Sequence, residues 1–185
     1  MKKKLITLLK CCLVAFVVAG CSAKPKVETL TITNISTQKA DMTNYDIKSD
    51  NNNFYDLTFE QFETLLNEKG SGIVYLGSPG CPYCLAAAPL LNDLVKDYGT
   101  FAYSLSFNDD AQIIKFETDY FADFLSEDEA ANGLQIPHVI IIKDGKILKN
   151  HLGTVPTHNA HERDMNDTEK KELTDIYQKM IDLLK

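Results

Sequence analysis

The sequence predicts an α/β domain in three layers with a central mixed sheet, and three observations carry that expectation. Short apolar runs suited to buried strands, at 72–77 and 139–142, are separated by segments whose apolar residues recur at helical spacing. Early strands joined through helices pair in parallel, whereas Asp144-Gly145 ahead of Lys146-Ile147-Leu148 is a hairpin signal that makes the last pair antiparallel. The 185 residues are 44% hydrophobic and 24% charged, enough for one buried core and unlike a disordered chain or a coiled coil.

The domain is expected over 54–185. Thr58 with Gln61 has the spacing of a capping box, and Phe59, Phe62, Leu65 and Leu66 share one face of the helix that runs to Lys69-Gly70. After the strand 72–77, Ser78-Pro79-Gly80 turns the chain into Cys81-Pro82-Tyr83-Cys84, and a helical stretch runs on to Tyr98 before Gly99. Residues 101–107 have strand propensity. Asn108-Asp109-Asp110 opens a helical insertion near 109–132, with Ile114, Tyr120, Phe121, Phe124 and Leu125 as its apolar side. A short helix over 126–132 ends it, and the acidic start at 126–129 reads as solvated. The last helix, 167–184, presents Leu173, Ile176, Tyr177, Met180 and Leu184 on one face.

Residues 1–20 have the layout of an export signal: Lys2, Lys3 and Lys4, an apolar run over 11–18, and small residues before Cys21. Val18-Ala19-Gly20-Cys21 resembles the lipobox of bacterial lipoprotein precursors, which implies lipidation at Cys21 and loss of Cys11 and Cys12 with the signal. Residues 21–53 then read as a lipidated N-terminus and polar tether, with an edge strand over 28–35 where Leu30 and Ile32 alternate with threonines. No run of about 18 apolar residues occurs, so no spanning helix is expected. A formal net charge of −7 argues against nucleic acid, whose phosphates need a basic face.

Two cysteines remain, Cys81 and Cys84. A lone Cys-x-x-Cys is half a zinc site, a structural disulfide or a redox pair. Zinc needs four ligands and no second cysteine pair exists; His158 and His161, in the polar loop 157–167, read as solvated. No metal is expected. The redox reading rests on a strand feeding a turn that lands Cys81 at a helix start, where free N–H groups and the helix dipole favour a thiolate. Pro82 suits the first helical turn because it has no N–H to lose. Cys84 lies a turn further in, so Cys81 is the attacking sulfur and Cys84 the resolving one.

These residues resemble the thioredoxin superfamily over about 54–185. The resemblance rests on Cys81-Pro82-Tyr83-Cys84 after a buried strand, Pro89 in the following helix, Ile136-Pro137 before the strand 139–142, and Lys143-Asp144-Gly145 in the hairpin. It implies a thioredoxin-like three-layer sandwich, a cis Pro137 beside the dithiol, and an Ile136 backbone that pairs with substrate next to Pro82 and Tyr83. Thr154-Val155-Pro156 resembles the cis-proline triplet of glutaredoxins, but no strand follows it and it reads as a decoy. The lipobox, residues 75–84 and the Asp/Asn-rich lead-in also resemble the bacteriocin transport accessory proteins of Gram-positive bacteria.

Departures from the thioredoxin pattern carry information too. Tyr75 stands where thioredoxins keep a buried acid, and Gly80 where they keep a tryptophan. Without the acid, oxidation or isomerisation is favoured over reduction. The glutaredoxin-like dipeptide Pro82-Tyr83 points to a potential nearer roughly −200 mV. His138 reads as an exposed residue at a strand start; the sharper reading makes it a neighbour tuning the Cys81 thiolate.

The function expected is an extracytoplasmic thiol–disulfide oxidoreductase, anchored through Cys21 to the outer face of the cytoplasmic membrane. It would act on thiols and disulfides of exported proteins or peptides and exchange electrons with a membrane redox partner. No cofactor is expected beyond the Cys81–Cys84 disulfide. The competing class is a non-catalytic binding or chaperone lipoprotein whose disulfide is structural, since fold alone does not establish activity.

Overall fold

The computed structural model describes residues 30–185. The expected export signal, Cys21 and the first part of the tether lie outside the described residues. Among the described residues, no helix is long and apolar enough to cross a membrane.

Among the described residues, five strands form one sheet in the order β1-β3-β2-β4-β5. β1 (Phe54–Thr58), β3 (Ala102–Ser106) and β2 (Gly72–Leu76) run parallel, and β4 (His138–Lys143) pairs antiparallel with both β2 and β5 (Lys146–Leu152). β2 is buried along its whole length, which is why it reads as an unbroken apolar run. Its side chains alternate between two cores. Ile73 and Tyr75, with Val139 and Ile141 of β4, meet α2 (Pro82–Asp97) and α5 (Asp167–Ile181). Val74 and Leu76, with Ile140 and Ile142, meet α1 (Phe59–Asn67) and the helical insertion.

The insertion comprises α3 (Asp110–Lys115), a π-helical turn at Phe116–Phe121, a 3-10 turn and α4 (Glu127–Asn132). Phe116 packs edge-on to Phe62 of α1 at 5.3 Å and stacks on Phe121 at 4.9 Å. The capping box of α1 forms as its spacing requires: the Gln61 N–H donates to Thr58 Oγ1, and the Thr58 N–H to Gln61 Oε1. At the β4–β5 turn, Asp144 and Gly145 both take positive φ, 52° and 74°, as a two-residue hairpin loop demands. The Gly145 N–H reaches the Gly70 carbonyl at 2.8 Å, and a Cβ there would stand 2.9 Å from Lys69 Cα.

Three corrections apply, one to a strand missing from the expected elements and two to stated expectations. β1 is a strand that the capping threonine and the asparagine run disguised; only Phe54 and Leu57 of its five residues are fully buried. No edge strand forms over 30–35, the described part of 28–35. There the Thr31 N–H takes the Leu184 carbonyl and the Thr33 N–H the Ser71 carbonyl, partners too far apart to make a ladder.

The third correction concerns the tether. Its described part, 30–53, packs against the domain, with Ala40, Met42, Tyr45 and Ile47 buried in the core beside α2. The asparagines that read as linker composition do structural work there. Asn52 donates to the Ala40 carbonyl and accepts from the Phe54 N–H, while Asn92 of α2 accepts from the Asn53 N–H and donates to the Asn51 carbonyl. An asparagine supplies both donors and an acceptor, so it can satisfy irregular backbone that has no ladder of its own.

Candidate functional site

The site begins with the sharp exit from β2. The Cys81 N–H donates to the Ser78 carbonyl, closing a turn that delivers Cys81 as the N-cap of α2, with Pro82 in the first helical turn. Cys81 is half-buried, and its Sγ accepts the Cys84 N–H at 3.4 Å. Cys84 lies one turn deeper and is fully buried, and its Sγ accepts the Ser78 N–H at 3.5 Å. Burial, reinforced by the Cys81 sulfur and opposed by the Ser78 N–H, pushes the Cys84 thiol up to about 12.

The Ile136–Pro137 bond is cis. The Ile136 carbonyl accepts from Cys81 Sγ at 3.6 Å, and the Pro137 carbonyl is held by the Gly153 N–H at 2.8 Å. The fold therefore brings Cys81, Cys84, Ile136 and Pro137 together although Cys81 and Ile136 are 55 residues apart in the chain. Pro156 is exposed in the loop after β5, and the cis bond is Ile136–Pro137 rather than Val155–Pro156.

Tyr83 is tied into that loop. Its hydroxyl bonds Asn159 Oδ1 at 3.3 Å, and its ring meets His158 and His161 edge-on at 5.9 and 5.6 Å. The expectation that both histidines are solvated holds for His161 alone. His158 is buried, with Nδ1 2.9 Å from Thr154 Oγ1 and Nε2 3.0 Å from the Arg163 carbonyl, so the polar loop folds around it. Among the described residues, no three potential metal-ligating side chains come together.

His138 overturns both of its readings. It is fully buried, and strand alternation puts it on the face opposite the dithiol, against Phe121 at 5.0 Å. Its Nε2 lies 2.7 Å from Glu129 Oε1. Glu129 was expected to be solvated with the rest of the 126–129 run, yet it is buried as well.

Beneath Cys84 the floor is tyrosine. Tyr75 is fully buried and donates its hydroxyl to the Cys84 carbonyl at 3.2 Å. A Cβ at Gly77 would overlap this ring, 2.6 Å from Tyr75 Cζ, so the missing side chain makes room for the phenol. Tyr45 packs edge-on to Tyr75 at 6.0 Å, and the buried Tyr177 hydroxyl has no hydrogen-bond partner among the described residues. Burial, followed by the Cys84 charge, drives the Tyr75 and Tyr177 hydroxyls far up. Tyr45 carried no signal in the sequence, because it lies in a stretch with no periodicity.

The loop that holds Tyr83 is pinned to α5 by one ion pair. Arg163 Nη1 and Nη2 meet the two oxygens of Glu169 at 2.6 and 2.7 Å, and the Thr157 hydroxyl and Asn166 N–H add to them. Arg163 is the main cause that holds the Glu169 carboxyl down to about 2, from an ordinary 4.5. A depressed folded value means stability that is complete above pH 4.5 and lost as pH falls toward about 2. Glu169→Gln should therefore melt below the parent at pH 7, and the gap should close near pH 2. A gap unchanged at pH 2 would contradict this linkage.

Parallel β1-β3-β2 continued by an antiparallel β4–β5 hairpin, with α2 and α5 on one face, α1 and the insertion on the other, and the dithiol at the start of α2, is a thioredoxin-like fold. No protein-family model matches the chain, and no curated protein does. Among solved structures the chain is similar to a thioredoxin of Plasmodium falciparum at 18% identity and a TM-score of 0.39, covering 66% of this chain and 97% of that one. It is also similar to Fasciola hepatica thioredoxin at 20% identity and a TM-score of 0.36, covering 64% and 93%. For the thioredoxin of Trypanosoma brucei brucei the values are 18%, 0.39, 66% and 89%.

Proposed function

We propose that the protein is a thiol–disulfide oxidoreductase that oxidises or rearranges cysteines of exported proteins or peptides. One observation carries the reading: the half-buried Cys81 sulfur caps α2 within 3.6 Å of the Ile136 carbonyl, with Cys84 buried one turn behind it. In the oxidising direction a substrate thiolate attacks Sγ of Cys81 in the Cys81–Cys84 disulfide, and Cys84 leaves as the thiol. A second substrate thiol then attacks the substrate sulfur of the mixed disulfide and releases Cys81. The substrate loses two electrons and two protons and gains a disulfide, and the protein is left as the dithiol. A membrane partner's disulfide would reoxidise it.

Tyr75 supports that direction. A buried carboxylate would speed reduction of a partner by accepting the Cys84 proton, and a hydroxyl this reluctant to ionise gives no such help. The extracytoplasmic location and the lipid anchor rest on Val18-Ala19-Gly20-Cys21 behind its basic and apolar regions. The narrower likeness to bacteriocin transport accessory proteins would make the substrate an exported peptide.

Alkylation of the protein equilibrated in graded thiol–disulfide buffers tests the activity class. A potential nearer about −200 mV is expected, and one below about −300 mV would identify a structural bridge and favour the binding-protein alternative. Cys21→Ala should release the protein from the membrane fraction; retention with the parent's mobility would remove the anchor.

A further inference from the structure

We propose that Glu129 is a positioning residue for the Ile136–Pro137 loop, so that the helical insertion governs how peptide substrate docks beside Cys81. This rests on the oxidoreductase reading of the dithiol. The observation behind it is the sharing of one carboxylate. Glu129 Oε2 accepts from the Ser126 N–H and hydroxyl, both at 2.9 Å, which completes the capping box of α4. Glu129 Oε1 is spent elsewhere: it accepts the Gln135 N–H at 3.2 Å and lies 2.7 Å from His138 Nε2.

Gln135 and His138 are the residues immediately before and after Ile136-Pro137. Both ends of the loop are thus fastened to a single oxygen, and the Ile136 carbonyl between them faces the Cys81 sulfur. A capping box alone needs only the first oxygen.

The histidine is held for the same task. Asn150 Nδ2 approaches its Nδ1 at 3.4 Å, so the amide donates there and the ring's proton sits on Nε2, pointing at Glu129. Burial drives His138 down, toward the neutral form. Burial by itself would raise the Glu129 carboxyl, but the Ser126, His138 and Gln135 donors outweigh it and keep the acceptor ionised. A neutral donor on a buried carboxylate fixes the geometry without burying a second charge.

The loop's backbone matters to a substrate that pairs along it and not to a small disulfide that only meets the sulfur. The test compares reduced parent and Glu129→Gln, as full-length chains, in two exchange reactions: with hydroxyethyl disulfide and with a disulfide-linked peptide. In each, Cys81 and Cys84 are oxidised and the added disulfide is reduced. Glu129→Gln keeps the size but turns an N–H toward one set of donors.

The peptide reaction should slow by on the order of tenfold to a hundredfold, mainly through KM, while the small-disulfide rate stays within about twofold. If the variant does not fold, His138→Gln and His138→Leu replace it. The glutamine retains a donor toward Glu129 and should keep peptide exchange, and the leucine should lose it. Equal losses in both reactions, or peptide exchange as fast as the parent's, would overturn the positioning role alone. A parent inert toward hydroxyethyl disulfide would overturn the oxidoreductase reading and this inference with it.

Discussion

Cys84→Ala should accumulate covalent adducts with its substrates, joined through Cys81, and Cys81→Ala should form none and lose turnover to the background of uncatalysed exchange. The geometry divides the labour between the sulfurs. Cys81 is reachable from solvent at the helix start, whereas Cys84 is fully buried and its thiol is pushed up to about 12. An incoming sulfur can only bond Cys81, and when Cys81 has attacked a substrate disulfide the adduct leaves through attack by Cys84 or by another substrate thiol, so removing Cys84 closes the intramolecular exit. Non-reducing electrophoresis of Cys84→Ala should show mixed disulfides that a thiol reductant dissolves, and peptide mapping should place them on Cys81. Adducts mapped to Cys84 in the Cys81→Ala protein would reverse the roles.

Tyr45→Ala should cost about 3 kcal/mol, at the low end for loss of a buried aromatic, and lower the melting temperature by on the order of 10 °C. Tyr45 lies in the stretch that composition describes as a tether, yet it is buried among Tyr75, Met42 and Ile47 in the core that holds Cys84. The same variant should expose Cys84 to alkylation at neutral pH, because burial is the largest cause of its raised value. Tyr45→Phe keeps the packing and should stay close to the parent on both measures. Unchanged melting in Tyr45→Ala would show that the packing of Tyr45 contributes nothing to the domain.

Much of the architecture was legible in the pattern of residues. Local chemistry determined the capping box at Thr58, the strands around β2 and β4, the Asp144-Gly145 hairpin and the helix start at Cys81, because each depends on residues within one turn or one strand. Ile136-Pro137 was legible by resemblance, and the structure places it against the dithiol. The amphipathic face of α5 was legible for the same local reason, down to Tyr177.

What the sequence could not determine depends on partners far along the chain. Whether Glu129 and His138 are solvated or buried is decided by Asn150 and Phe121, which close over them from β5 and the insertion. His158 is hidden by a loop that Arg163 and Glu169 draw together. The fate of 36–52 turns on Asn92, some forty residues away, and on the room that α2 leaves for Tyr45. Local pattern was therefore enough for β2 to β5, the helices and the dithiol, but not for β1. Which polar side chains are buried was settled by long-range packing, since a polar group is buried where distant neighbours satisfy it, and no local pattern records who those neighbours are.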